Sequence, residues 1–177
     1  MIMSAYTLIA QSNKVAEEAT AICPLLIGEK IPSNSLRDVQ GKKVNLKELT
    51  SRKQSILVFY RGGWCPYYNL HLAELQIIEP EILAAGYQII AVSPDSPESL
   101  RNAADKNKLN YILLSDYGAE LIRAFGLAYK APQQYAELLA KSSDGQNKDV
   151  LPVPAAFVLN KQGEILFEYV NPDYKKR

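Results

Sequence analysis

One segment, residues 55–78, constrains the fold of this chain more than any other. Ser55–Tyr60 is a nearly continuous run of β-branched and aromatic residues, which is typical of a strand buried on both faces of a sheet. Gly62 and Gly63 follow, and Pro66 is placed for the first turn of a helix. The segment therefore predicts a central strand joined by a tight loop to a helix.

The rest of the chain alternates predicted strands with predicted helices. Apolar runs predict further strands at 87–92, 111–114, 155–159 and 164–170, the last two forming a hairpin. Helical spacing and cap residues predict helices at 97–106, 119–125 and 132–140. This order indicates the α/β class, with a central mixed sheet and helices on both faces.

Shorter sequence patterns predict a hairpin, a helix interruption and a loop between these elements. A hairpin extension over 35–46, turning at Gln40-Gly41, is expected to lead into one helical turn. Pro80 should kink or restart the helix after Pro66, and Gly86 should end it. Residues 142–149 are polar and should form a mobile loop.

The first residues predict an amphipathic helix. From Ser4 to Ile22 apolar residues recur at helical spacing, and the helix should stop at Cys23 because Pro24 disfavours the helical conformation before it. We expect one domain over residues 1–177, with 1–24 as an N-terminal helical extension. Only seven residues follow the last predicted strand, so this extension or a partner subunit in a homodimer is expected to replace a closing helix.

Charge and apolar patterning exclude several classes of partner. Lys and Arg total 20 and Asp and Glu total 19, with no run of like charges, so a nucleic-acid partner is not expected. The apolar runs fall far short of the roughly 20 residues that cross a bilayer. The first charge is Lys14, so no secretory signal is indicated. We expect a cytoplasmic protein.

Cysteine and histidine are scarce. Two cysteines and one histidine cannot supply the roughly four ligands of a structural zinc site, nor a disulfide-rich scaffold. Asp95, Asp105 and Asp116 show no metal-ligand spacing and are expected to be helix caps or solvated carboxylates. No metal and no cofactor are expected, so any cysteine chemistry must come from Cys65 or Cys23.

Cys65 has the setting of a reactive thiol. It follows the buried strand and precedes the helix, so its sulfur should lie where free backbone N–H groups and the helix dipole favour an anion. The thiolate is the nucleophilic form of cysteine. The tight loop at Gly63 and the flanking Pro66 are poorly explained by packing alone, so we expect catalysis rather than a small buried hydrophobe.

The neighbours of Cys65 are candidates for shaping its site. Arg61 would add positive charge, while Trp64 and Tyr67 would shield the thiol from bulk water. His71 lies six residues after Cys65, near the opposite side of the predicted helix, and is expected to be a surface or packing residue. Cys23 has nothing nearby to activate it and is expected to be inert.

Motifs spread from about Leu25 to Val170 carry a resemblance to a known family. They are Gly28-Glu-Lys-Ile-Pro32, Asp38-Val-Gln-Gly41, Val44-Asn-Leu46, Arg61-Gly-Gly-Trp-Cys-Pro-Tyr67, Ala91-Val-Ser-Pro-Asp95, Leu114-Ser-Asp116, Ala124-Phe-Gly-Leu127 and Val153-Pro-Ala-Ala-Phe-Val158. Together they resemble the alkyl hydroperoxide reductase/thiol-specific antioxidant branch of the thioredoxin superfamily. The resemblance implies a thioredoxin-like fold, a Cys65 that attacks a peroxide and becomes a sulfenic acid, and a cis-proline at Pro154 packed beside it.

The chain departs from that family at the reactive cysteine. Typical peroxiredoxins have a proline seven residues and a threonine three residues before it, and Val58 and Gly62 stand there instead. No downstream arginine lies in an obviously matching segment, which leaves Arg61 as a candidate substitute. Thioredoxin and glutaredoxin motifs carry a second cysteine at the position of Tyr68. A sulfenic acid at Cys65 would therefore be resolved by an external thiol, by Cys23 or by another subunit.

Three functions follow as alternatives. The first is a peroxiredoxin-like, cofactor-independent thiol peroxidase of the one-cysteine type, which reduces a hydroperoxide at Cys65 and is recycled by a thioredoxin- or glutathione-type thiol. The second is a monothiol oxidoreductase that exchanges with a glutathionylated or mixed disulfide substrate. The third is a non-catalytic redox-sensing or interaction domain that kept the fold.

Overall fold

The computed structural model describes residues 14–174, and within them nine strands form two sheets. The strands are β1 (Ser35–Arg37), β2 (Lys43–Asn45), β3 (Gln54–Phe59), β4 (Tyr87–Ser93), β5 (Ile112–Ser115), β6 (Ala128–Lys130), β7 (Val150–Pro152), β8 (Ala155–Leu159) and β9 (Ile165–Val170). The α-helices are α1 (Leu46–Arg52), α2 (Pro66–Ala84), α3 (Pro97–Asn107), α4 (Glu120–Ala124) and α5 (Ala136–Ser142). Two 3₁₀ turns lie at Ala19–Ala21 and Gln133–Tyr135.

The main sheet is mixed and has seven strands in the order β2-β1-β5-β4-β3-β8-β9. β3 is parallel to β4, and β4 to β5, whereas β8 is antiparallel to both β3 and β9. The hairpin of β1 and β2 extends the far side of the sheet. β3 is paired along both edges and its last three residues are buried, so the prediction of a central strand is confirmed.

Helices cover both faces of this sheet, as the alternation of elements predicted. On one face, Leu46 of α1 and Leu121 of α4 pack in a core that includes Phe59 and Phe157. On the other face α2 and α3 cover a second core, in which Cys65 is itself a member. Successive residues of β3 alternate between these two cores because side chains alternate across a strand. None of the helices in residues 14–174 combines the length and apolar character needed to span a membrane.

The predicted N-terminal helix is wrong over Lys14–Ile22, while its first part, residues 4–13, lies outside the described residues. Ala16 pairs instead with the edge of β6, where its N–H donates to Ala128 and its carbonyl accepts from Lys130. Backbone pairing with an open strand edge outweighs the helical pattern here. These residues therefore lie against β6 and leave Phe167 of β9 53% exposed.

Two other predictions concern Pro80 and the polar segment 142–149, and the structure shows that the helix does not restart at Pro80. α2 runs unbroken through Pro80, which is exposed, and ends just before Gly86 as predicted. The polar segment 142–149 is mostly exposed, but two of its buried side chains bond the backbone: Ser143 Oγ donates to the carbonyls of Leu139 and Asn147, and the Asn147 amide bonds the backbone of Val150 in both directions. Serine and asparagine side chains can form such local hydrogen bonds with backbone groups that would otherwise bond to water.

Candidate active site

Cys65 is the N-cap residue of α2 and lies directly after the strand–loop unit predicted from the sequence. Its carbonyl accepts from the N–H groups of Tyr68 and Asn69 at 3.0 and 3.1 Å, and its own N–H donates to Gly62 at 3.1 Å. Its side chain makes no capping bond and is 3% exposed. Cys65 therefore lies at the positive end of a 19-residue helix.

The turn before Cys65 is packed so closely that its glycines have no room for a side chain. Gly62 has φ +141°, and a Cβ there would lie 2.3 Å from Nε1 of Trp64 and 2.8 Å from Oδ1 of Asp95. A Cβ on Gly63 would lie 2.8 Å from that of Ala103 on α3. The tight loop expected at these glycines is therefore a packed junction between β3, β4 and α3.

Asp95 holds this turn from the end of β4. Its Oδ2 accepts from the N–H of Gly63 at 2.7 Å and from Oγ of Ser93 at 3.1 Å. Burial raises the pKa of this carboxyl to about 6. The expectation that Asp95 is a helix cap or a solvated carboxylate is wrong, because Ser96 caps α3 and Asp95 is buried.

Arg61 is the site's buried cation. It is 2% exposed, and its Cζ lies 5.3, 4.7 and 4.3 Å from the ring centres of Trp64, Tyr135 and Tyr174. Burial lowers the pKa of the guanidinium, but a hydrogen bond with Tyr135 and the nearby tyrosine and Cys65 groups raise it above its ordinary value. Arg61 thus stays charged and interacts electrostatically with Cys65.

The described residues offer this guanidinium no carboxylate in a salt bridge; the ion pair that they do form joins Lys130 to Glu17. A buried charge without a partner is costly. Three aromatic faces and one tyrosine hydroxyl offset part of that cost. The arrangement places a charged guanidinium in the buried surroundings of Cys65, where the sequence analysis expected Arg61 to add positive charge.

Sequence reasoning missed the tyrosines that surround Arg61. The pKa of Tyr135 is lowered, chiefly by its hydrogen bond with Arg61, and Tyr174 also bonds its hydroxyl. Tyr129 of β6 lies close enough that the Arg61 charge partly offsets the rise that burial causes in its pKa. These residues lie 64 to 109 positions after Cys65. The abundance of tyrosine, 11 residues in all, was the signal available.

Trp64 and Tyr67 lie at the site, as predicted. Trp64 packs on Tyr135 with ring centres 5.6 Å apart. Tyr67, 43% exposed, meets Tyr174 edge-on at 5.9 Å. Both side chains therefore form part of the cover over Arg61, and Pro66 occupies the first helical turn as expected.

Tyr68, in the place of a second cysteine, is a packing residue. It is buried between Tyr60 and His71, with ring centres 6.0 and 6.4 Å away. With Pro154 and Tyr169 it lines a small cavity of about 120 Å³ whose walls are mainly apolar. The half-buried His71 is thus a packing residue, as the sequence predicted.

The structure corrects the expectation for Pro154. No peptide bond in residues 14–174 is cis. The carbonyl of Pro154 accepts from the N–H of Asn171 and continues the β8–β9 ladder, so the residue fits an extended, trans chain. Pro154 nevertheless lines the cavity beside Tyr68, the residue one helical turn after Cys65.

Cys23 is not brought to Cys65. It is exposed, and both cysteines are free thiols. Cys23 precedes Leu25, which belongs to the core on one face of the sheet, whereas Cys65 belongs to the core on the other. This separation agrees with the prediction that Cys23 is a bystander.

The family can be decided with these features in place. The model of the AhpC/TSA family matches residues 27–167. The chain belongs to the AhpC/TSA family. Among curated AhpC/TSA relatives, the peroxiredoxin Bcp of Escherichia coli strain K12 is 28% identical over 152 residues, which cover 86% of this chain and 88% of Bcp. The thiol-disulfide oxidoreductase ResA of Bacillus cereus is 22% identical over 152 residues, covering 85% of this chain and 73% of ResA.

Solved structures agree with the AhpC/TSA assignment at the level of fold. Reduced Prx3 from Vibrio vulnificus, solved in complex with hydrogen peroxide, superposes with a TM-score of 0.71 at 17% identity, covering 83% of this chain and 88% of that one. The chain therefore has the thioredoxin-like fold that its motifs predicted.

Proposed function

We propose that this AhpC/TSA protein is a one-cysteine thiol peroxidase that reduces a hydroperoxide at Cys65 and is recycled by an external thiol. The observation that carries the proposal is the charged Arg61, buried beside Cys65 without a carboxylate partner. Together with the N-terminus of α2 it supplies positive charge around Cys65 in a site that is almost fully buried. Arg61 thereby takes the place of the threonine and downstream arginine of typical peroxiredoxins.

The reaction has two stages. The Cys65 thiolate attacks one oxygen of the hydroperoxide, the O–O bond breaks, and the sulfur is oxidised to a sulfenic acid. The leaving oxygen takes a proton from solvent, which yields an alcohol or water. A thiol then attacks the sulfenic sulfur and releases water, and a second thiol displaces Cys65 from the mixed disulfide.

Tyr68 and Cys23 support the one-cysteine form of this cycle. Tyr68 fills the position from which a neighbouring cysteine could form a local disulfide. Cys23 is exposed and lies two residues before Leu25, which packs in the core on the other face of the sheet from Cys65. Neither residue places a second thiol near Cys65, so the resolving thiol is expected to come from another molecule.

Oxidation of the reduced protein, followed by stopped flow and mass analysis, tests the proposal. Hydrogen peroxide and an organic hydroperoxide should oxidise Cys65 far faster than free cysteine, and Cys65→Ser should abolish the reaction. Cys23→Ser should keep both the fast oxidation and turnover with an external thiol. Oxidation no faster than that of free cysteine would overturn the peroxidase assignment. A Cys23–Cys65 disulfide in the oxidised wild type would overturn the one-cysteine mechanism.

Disulfide exchange is the second candidate, favoured by the Trp-Cys-Pro-Tyr sequence at the helix start. In that case Cys65 attacks a glutathione mixed disulfide and displaces a thiol, with no sulfenic acid formed. Turnover of such a mixed disulfide without a fast peroxide reaction would select this candidate. Failure of both reactions would favour the non-catalytic alternative.

A further inference from the structure

The reactive site is closed by two tyrosines that come from distant parts of the chain. Tyr174 lies beyond β9, and Tyr135 lies in the 3₁₀ turn before α5. Both rings lie on the guanidinium of Arg61, at 4.3 and 4.7 Å from its Cζ. The two residues also interact with each other through their hydroxyls. They therefore form one cover over Arg61, which we call the tyrosine cover.

The tyrosine cover lies on the solvent side of the buried reactive groups. Cys65 and Arg61 are almost fully buried, whereas Tyr135 and Tyr174 are both partly exposed. The exposed ring of Tyr67 meets Tyr174 edge-on and continues the cover toward the start of α2. A substrate that reaches Cys65 by way of Arg61 must pass these rings.

The two halves of the tyrosine cover are attached differently. Tyr135 leads directly into α5, whose end is pinned by the Ser143 and Asn147 bonds. Tyr174 lies past the last strand, after a turn in which the N–H of Asp173 donates to Oδ1 of Asn171. Tyr174 thus lies outside the helices and strands of the described residues, whereas Tyr135 lies in a 3₁₀ turn joined to α5.

We propose that Tyr174 is a specificity-determining residue, which closes the Cys65–Arg61 site to large hydroperoxides while small ones still reach the thiol. The proposal rests on the peroxidase function of Cys65. With the ring in place, Tyr174 covers the guanidinium of Arg61, which interacts electrostatically with Cys65. With the ring displaced, the guanidinium and the sulfur become accessible together, so a bulky hydroperoxide can align with both.

Alkylation of Cys65 tests this closure without relying on peroxidase activity. In a Cys23→Ser background, Tyr174→Ala should raise the alkylation rate with a bulky maleimide about tenfold relative to iodoacetamide, because the desolvated cation–π contact that holds the ring is lost. Tyr174→Phe keeps the ring and should stay within about twofold of the parent, since the closing contact is the aromatic face.

The same variants are then compared as peroxidases, by the ratio of oxidation rates with cumene hydroperoxide and with hydrogen peroxide. Tyr174→Ala should raise this ratio about tenfold, mainly through the bulky substrate. Tyr117→Ala is the matched control, because Tyr117 also contacts an arginine: its hydroxyl accepts from Nε of Arg37 at 3.3 Å. That variant should leave both ratios unchanged.

The outcomes separate this proposal from the proposed function. If alkylation is size-selective but no fast peroxide reaction occurs, the proposal that Tyr174 closes the site is supported and the proposed peroxidase function is overturned. If oxidation is fast but Tyr174→Ala changes neither the alkylation ratio nor the ratio of oxidation rates, the proposal for Tyr174 is overturned and the proposed peroxidase function is supported. An equal effect in Tyr117→Ala would also overturn the closure, because it would reveal a general loosening of the fold.

Discussion

The N–H of Gly63 donates a 2.7 Å hydrogen bond to Oδ2 of Asp95, a residue 32 positions further along the chain. This bond ties the turn before Cys65 to the end of the neighbouring parallel strand β4. The reactive turn is thus held from outside by a buried carboxyl. The geometry of this turn depends on the Asp95 carboxyl. The stability of the folded protein should therefore depend on pH through the protonation of Asp95.

Replacing the acid should remove a pH-dependent component of stability. Burial raises the pKa of Asp95 from 3.8 to about 6, so between these pH values the folded protein holds a proton that the unfolded chain has released. The unfolding free energy contributed by this group therefore falls as pH rises through this window, by about 3 kcal/mol in total. Asp95→Asn should gain stability relative to the wild type between pH 4 and pH 7.

Urea unfolding across this pH range checks the prediction. Asp116, whose pKa burial raises to about 7, contributes with the same sign and is retained in both proteins. The exposed Asp105→Asn is the control and should show no such trend. A stability difference for Asp95→Asn that is constant with pH would contradict the buried carboxyl.

Adding a methyl group at Gly62 should disrupt the turn. The residue has φ +141°, and its Cβ would lie 2.3 Å from Nε1 of Trp64, so Gly62→Ala should cost about 2–4 kcal/mol and slow oxidation of Cys65. Gly28→Ala is the control, because φ is +89° there but nothing lies within 4 Å. It should show only the conformational cost, about 1 kcal/mol, and normal oxidation. Equal losses in the two variants would argue against packing at the turn.

Removing the charge of Arg61 should slow the oxidation of Cys65 without lowering the stability of the fold. Arg61→Met should slow the oxidation of Cys65 by hydrogen peroxide about 10- to 1000-fold, as expected for loss of an electrostatic group at the reacting centre. The free energy of unfolding should change little or rise, because the variant removes a buried charge that lacks a carboxylate partner. Arg61→Lys keeps the charge but lacks the planar face for the aromatic rings.

Stopped-flow oxidation and urea unfolding of the same samples measure both effects. Arg61→Lys should recover only part of the rate that Arg61→Met loses. If Arg61→Met is clearly less stable than the wild type but its Cys65 is oxidised at the normal rate, Arg61 stabilises the fold and does not promote the reaction, which would contradict the prediction.

A second thiol at position 68 should allow the Cys65 sulfenic acid to be resolved by an internal disulfide instead of an external thiol. Residues three apart at a helix start are neighbours, so Tyr68→Cys should form a disulfide with Cys65 after peroxide treatment and become reducible by a dithiol. Loss of the buried ring should cost about 2–4 kcal/mol. Tyr67→Cys, one position earlier and exposed, should form no such bond. Mass analysis under non-reducing conditions distinguishes the two, and a free Cys65 sulfenic acid in Tyr68→Cys would refute the prediction.

Local signals were enough to predict the frame of the site. The apolar run of β3, the proline after Cys65 and the glycine after α2 act over a few residues, and each produced the expected element. The same signals placed Cys65 at a helix start, because strand, loop and helix are consecutive in the chain.

Signals of this kind failed where a distant partner decided the outcome. The helical pattern of residues 14–22 lost to the open edge of β6, more than 100 residues further along the chain. The pattern of Asp95 indicated a cap or a solvated acid, yet the strand order of the sheet buries it against Gly63.

The sequence by itself determined the fold class and the absence of a neighbouring thiol at Tyr68, and it indicated Cys65 as the candidate reactive cysteine, since these depend on residue identity and short-range spacing. Only the tertiary structure decided what surrounds that cysteine. Tyr135 and Tyr174 are 39 positions apart, and no local pattern indicates that their rings meet on Arg61. The physical reason is that burial of a guanidinium requires partners from several elements, and packing of the whole sheet is what brings those elements together.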